Sequence, residues 1–152
     1  MDQEKIDEFH KFRILTDERI VSYTSKGRKA PLGKWKKLAE SPKFKDDNSL
    51  RSYQLEGLNW LMFCWFNKQS SILADEMGLG KTVQSTAFLY NLYRTQNIKG
   101  PFLVVVPLST MGNWERELKN WTDMNTIVYH GNQASRNLLV ETEFYFRDQR
   151  VN

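Results

Sequence analysis

Ile72-Leu73-Ala74-Asp75-Glu76-Met77-Gly78-Leu79-Gly80-Lys81-Thr82 joins a short apolar run to a glycine-bearing loop, and a helical pattern follows it. That is the layout of a phosphate-binding loop. Gly78 and Gly80 let the backbone bend tightly, so successive amide N–H groups converge on a β-phosphate. A helix opening at Lys81 directs its positive dipole end and free N–H groups at the same anion. Lys81 then supplies a mobile positive charge for the β- and γ-phosphates, and Thr82 a hydroxyl ligand for Mg²⁺. The general pattern has glycine where Asp75 stands. The alternative is a strand-turn-helix junction that needs glycines only for its bend, with Lys81 solvated. Gly-x-Gly-Lys-Thr directly after an apolar run favours the phosphate reading.

The pattern around the loop extends this layout. Leu55, Leu58, Met62 and Trp65 recur at i, i+3, i+7 and i+10 and predict a helix over 52–67, apolar on more than one face. Residues 70–74 read as a strand, and 81–94 as a helix with Val83, Ala87 and Tyr90 or Asn91 on one side. The turn Lys99-Gly100-Pro101 precedes Phe102-Leu103-Val104-Val105-Val106, a run suited to a parallel strand buried on both faces. Ser109 or Thr110 can cap the next helix, where Trp114, Leu118 and Trp121 form a stripe better suited to a core than to base stacking. Residues 126–129 read as a third strand and 133–146 as a fourth helix. Alternating helices and strands at this spacing predict an α/β fold, a parallel sheet with helices on both faces. The loop would then sit at the carboxyl end of a strand.

Composition narrows the class. Of 152 residues 40% are hydrophobic, with five Trp and nine Phe, which suits a packed domain rather than a disordered chain. The longest apolar run, Trp60 to Phe66, is seven residues, far below the ~20 that a bilayer requires. Met1-Asp2-Gln3-Glu4 lacks the features of a secretory or transit peptide. The lone Cys64 lies in an apolar helical run and reads as a small buried hydrophobe, with no disulfide or metal role. Residues 3–14 read as a short amphipathic helix, and 21–49, aperiodic and containing Gly27, Pro31, Gly33 and Pro42, as a linker or irregular arm. From Lys26 to Lys45 eight basic residues face one acid, Glu40. With Trp35 and Phe44 interleaved, this basic stretch suits a nucleic-acid backbone, an acidic protein surface or a plain solvated linker.

With these motifs placed, the chain resembles the Snf2-type ATPases of helicase superfamily 2, the motors of chromatin remodelling. The resemblance runs from about Leu50 to Asp148. It rests on Leu50-Arg51-Ser52-Tyr53-Gln54-Leu55-Glu56-Gly57-Leu58-Asn59-Trp60, on Leu73 to Thr82, and on Gly100 to Glu117 with Pro107-Leu108-Ser109-Thr110 and Asn113-Trp114-Glu115. Within that group it is most similar to the chromodomain-helicase-DNA-binding remodellers, and Tyr129-His130-Gly131-Asn132-Gln133-Ala134-Ser135-Arg136 leans toward their Kismet-like branch. Asp75 in Asp-Glu-Met-Gly-Leu-Gly-Lys-Thr is that family's own form of the loop.

The resemblance implies a partial RecA-like lobe over 50–152, preceded by a connector from a chromodomain region over 1–49. It implies that Gln54 reads adenine, that Asp75, Glu76, Met77, Gly78, Leu79, Gly80, Lys81 and Thr82 hold ATP and Mg²⁺, and that Pro107, Leu108, Ser109 and Thr110 touch DNA. A carboxamide can pair with both N6 and N7 of adenine, and helix-start hydroxyls suit phosphate oxygens. It further implies duplex DNA in nucleosomes as partner, histones through chromodomains of a parent protein, and a nuclear location.

Turnover needs an acidic pair on a later strand and an arginine at the transferring phosphoryl group. Asp7-Glu8-Phe9-His10 and Asp17-Glu18 precede the loop and do not qualify, and no adjacent acidic pair follows Thr82. The expectation is a nucleotide-holding segment of a DNA-translocating ATPase that does not turn over alone; the alternative is a non-catalytic nucleotide- or DNA-binding module.

Overall fold

The computed structural model describes residues 33–144. The expected amphipathic helix over 3–14 and the first part of the basic stretch lie outside these residues. From Lys34 onward the described residues fall in one compact unit. Four α-helices build it: α1 (Ser52–Phe66), α2 (Lys81–Thr95), α3 (Leu108–Trp121) and α4 (Gln133–Leu139). A 3-10 turn (Lys45–Asp47) precedes them and a π turn (Val140–Phe144) follows.

Local chemistry sets the helix ends. At the start of α1 the Gln54 carboxamide oxygen accepts from the Arg51 N–H at 3.1 Å, satisfying a donor that the helix itself leaves open. Past Phe66 the Asn67 side chain donates to the Phe63 carbonyl at 2.9 Å, and Lys68 enters the left-handed region (φ 58°), which turns the chain away. Asn132 caps α4, its Oδ1 accepting from both the N–H and the hydroxyl of Ser135 at 2.8 and 2.9 Å. At α3 the expected cap is replaced: Pro107 is the N-cap residue, and Ser109 and Thr110 lie inside the first turn. Thr110 donates its hydroxyl back to the Pro107 carbonyl at 3.0 Å.

The core forms where α1 and α2 pack. Leu58, Met62, Ala87, Tyr90 and Leu92 are buried there with Phe44 and Leu50, and Leu55, Val83, Phe88 and Trp121 pack around them. Cys64 is buried and unbonded. The expected α1 stripe is therefore part of the core, and Leu61 is buried as well. Trp121 packs its ring edge on Phe44 at 5.4 Å, while Trp114 is half-buried.

Residues 34–50 form a strap over these helices. Leu38 gives and receives a backbone bond with the Asn59 side chain at 2.8 and 3.0 Å. Trp35 meets Phe63 edge-on at 5.3 Å, and Phe44 lies between Tyr90 and Trp121. Ser41 accepts from Leu50 N–H, and Lys45 and Asn48 donate to the carbonyls of Lys119 and Asn120 at the end of α3. The stretch is irregular, as its lack of a period predicts, yet its apolar side chains are used in packing.

The α/β expectation is corrected by the structure. Among the described residues there is no strand and no sheet; 70–74, 102–106 and 126–129 are without regular secondary structure. A strand exists only when a second backbone accepts and donates along its ladder, and no described segment does so for these three. The β-branched run is not buried on both faces either. Phe102, Val104 and Val106 are half-buried while Leu103 and Val105 stand 88% and 85% exposed, a period of two with one covered face. Ile72 is 85% exposed in the same way. β-Propensity was present, but propensity does not supply a partner strand. Among the described residues no helix is long and apolar enough to cross a membrane.

Candidate functional site

The loop between α1 and α2 is held in a definite bend. Gly78 and Gly80 both take positive φ, 86° and 79°, and Gly80 is the residue from which α2 begins. A side chain at Gly80 would meet strain in that region and would also strike the Gln54 amide nitrogen, 2.5 Å from where its Cβ would stand. Gln84 N–H closes the first helical bond to the Gly80 carbonyl at 3.0 Å. Ahead of it, no side chain caps the helix and no acid lies in its first turn. The start of α2 therefore carries an uncompensated positive dipole end and open amide donors.

Lys81 folds back over the loop that precedes it. Its ammonium donates to the carbonyls of Asp75 and Glu76 at 2.8 and 2.9 Å, with no carboxylate partner among the described residues. Neutral carbonyls leave its charge unneutralised, so an anion arriving at the helix start meets a cation tethered beside it. Thr82 follows in the first turn, half-buried. Glu76 and Met77 are exposed, Met77 to 92%, and Leu79 lies at the same rim.

Gln54 reaches this loop from α1. It is buried, its oxygen is taken by Arg51 N–H, and its amide nitrogen lies 3.4 Å from the Leu79 carbonyl. Both ends of the carboxamide that would read a base are thus engaged within the protein. Two of the sequence-predicted sets diverge here. Gln54, Asp75, Glu76, Leu79, Gly80 and Lys81 are joined by direct bonds or contact. Pro107, Leu108, Ser109 and Thr110 are all exposed at the start of α3, with no hydrogen bond from the described residues joining them to the loop.

Sequence reasoning missed Gln84. It is fully buried on α2, and its amide nitrogen donates to the Asp75 carboxylate at 2.7 Å and approaches the Leu79 carbonyl at 3.4 Å. The available signal was its place three before Ala87 and seven before Asn91, on the inward stripe of α2.

The SNF2-related domain model matches residues 53–152, a span that includes Gln54, the loop and the start of α3. The chain belongs to the SNF2-related domain family. This SNF2-related chain is 51% identical over 148 residues to chromodomain-helicase-DNA-binding protein 7 of Homo sapiens, a match covering 97% of this chain and 5% of that protein. It is 49% identical over 151 residues to chromodomain-helicase-DNA-binding protein 9 of Mus musculus, covering 99% and 5%. To chromodomain-helicase-DNA-binding protein 8 of Homo sapiens it is 60% identical over 116 residues, covering 76% and 4%. The chain spans about a twentieth of the length of these relatives.

Proposed function

We propose that this chain is the Mg-ATP-holding segment of a DNA-dependent, chromatin-remodelling ATPase of the SNF2-related family. One observation carries the reading: Lys81 lies against the carbonyls of Asp75 and Glu76 beside an uncapped helix start, at a glycine bend of positive φ. The open amides of α2 and the Lys81 ammonium take the β- and γ-phosphates. Thr82, in the first turn of α2, would ligate Mg²⁺, which would screen phosphate charge. Gln54 exchanges its bonds to Arg51 and Leu79 for the adenine edge.

Pro107 to Thr110 offer an exposed helix start to a DNA phosphate, where the Ser109 hydroxyl can donate to a phosphate oxygen and the Thr110 hydroxyl joins it by exchanging its bond to the Pro107 carbonyl. In a parent protein the segment serves translocation on nucleosomal DNA in the nucleus, a reading supported by the names of the relatives.

Calorimetric titration of Mg-ATP tests this. The unaltered chain binds saturably, and Lys81→Ala weakens binding by about tenfold or more, the loss of a charge-assisted contact. Equal affinity of the two would refute the phosphate role of the loop.

A further inference from the structure

Gln84 sits at a crossing that the proposed function does not use. Its side chain is fully buried, yet its Oε1 has no hydrogen-bond partner. Leaving a buried carbonyl oxygen unpaired carries a cost of the order of a hydrogen bond, so an unpaired group that persists calls for a reason. The reason lies at the other end of the carboxamide, where Nε2 is bonded to the Asp75 carboxylate at 2.7 Å and approaches Leu79 O at 3.4 Å. Asp75 opens the loop and Leu79 nearly closes it, so one amide group fixes the span between them.

The oxygen is accommodated only because α1 carries Gly57. A Cβ at that position would stand 1.7 Å from Oε1, an impossible approach. The arrangement is reciprocal. Gln54 of α1 lies over Gly80 of the loop, and Gln84 of α2 lies over Gly57 of α1. Each carboxamide occupies the place where the opposite glycine has no side chain.

We propose that Gln84 is a positioning residue for the phosphate loop, holding Asp75 and Leu79 at the span that a triphosphate requires, with Gly57 as the seat for its carboxamide. This rests on the phosphate reading of the loop. Gln84 does not touch nucleotide; it acts through the Asp75 carboxylate and the Leu79 carbonyl. A role in core stability alone predicts the opposite pattern: loss of the bond to Asp75 lowers the melting temperature of Gln84→Leu and leaves Mg-ATP affinity unchanged.

The test uses the full 152-residue chain, Mg-ATP calorimetry and thermal melting. Gln84→Leu melts at or above the temperature of the unaltered chain yet binds Mg-ATP about tenfold more weakly, the size of effect a hydrogen bond to a carboxylate carries. Gln84→Glu sets two carboxylates together and binds Mg-ATP more weakly than the unaltered chain. The exchange Asp75→Asn with Gln84→Glu restores one donor and one acceptor in reversed order, and recovers part of the affinity lost by Gln84→Glu. Gly57→Ala displaces the carboxamide and copies the binding defect of Gln84→Leu.

The outcomes separate the two readings. If the unaltered chain binds and Lys81→Ala weakens it, but Gln84→Leu binds with unchanged affinity, the positioning role is overturned and the phosphate reading stands. Equal failure of the exchange variant and Gln84→Glu would overturn the Asp75–Gln84 bond as the working contact. If the unaltered chain binds no Mg-ATP, both readings fall.

Discussion

Replacing Phe44 with alanine separates a packed strap from a solvated linker. Phe44 is 6% exposed, with Tyr90 6.0 Å and Trp121 5.4 Å away between ring centroids. Burial of a phenylalanine that is truncated to alanine costs about 3–5 kcal/mol, of which each aromatic pair accounts for about 0.5–1.5. Set against a total stability of about 5–15 kcal/mol for a domain, the loss is a large fraction. For a unit of this size each kcal/mol moves the melting temperature by roughly 3–6 °C, so the variant should melt about 9–30 °C lower. The assay is thermal unfolding followed by far-ultraviolet circular dichroism, with Lys43→Ala as the comparison. Among the described residues Lys43 pairs only with Asp47, at 3.8 Å and with side chains 91% and 89% exposed, and its removal should change little. A Phe44→Ala loss below about 1 kcal/mol, within reach of an ordinary surface change, would refute the strap as part of the core.

Further outcomes follow from other contacts. Asn59→Ala strips both strap bonds from Leu38 and should cost about 2–3 kcal/mol in a urea titration; an unchanged midpoint would show the clamp to be dispensable. Tyr90 has its hydroxyl pKa raised above the ordinary 10.0 by burial first and then by its bond to Asp123. Folding therefore favours the protonated phenol: that contribution is complete below pH 10.0 and is lost as pH rises through the higher folded value. Tyr90→Phe should flatten the alkaline limb of a stability-against-pH curve, and an unaltered limb would contradict the assignment. Lys34, Lys36 and Lys37 are exposed on the strap, so alanine at all three should lower duplex-DNA affinity and reduce the salt slope by up to about 0.9 per lost phosphate contact, with melting temperature preserved. An unchanged slope would make that stretch a structural strap alone.

Helices were readable in the sequence because their signals are local. The period of Leu55, Leu58, Met62 and Trp65, the glycines before Lys81 and the Lys99-Gly100-Pro101 turn each act within a few residues, and α1 and α2 end within one residue of their predicted limits. Strands are not local. Phe102 to Val106 has the right residues, but pairing depends on a second backbone that composition cannot supply. The strap was hidden for a related reason: Trp35, Leu38, Phe44 and Leu50 follow no period, and each finds its own pocket on α1, α2 or α3. At the site, the loop glycines and Lys81 were legible as a motif. Gln84 was not, because a polar side chain on a helix usually faces water, and only the missing Cβ of Gly57 reveals why this one does not.

The strap also bears on the order of assembly. The bonds of Lys45 and Asn48 to the end of α3 span 74 and 72 residues of chain, whereas the Gln84 to Asp75 bond spans nine. Loop-closure entropy grows with the enclosed length, so the α1–loop–α2 hairpin can close before α3 exists as a surface for the strap. During synthesis the strap emerges first and finds its last partner some seventy residues later. Lys45 and Asn48 wait through that interval for their partners on α3, whereas Trp35 meets Phe63 as soon as α1 exists.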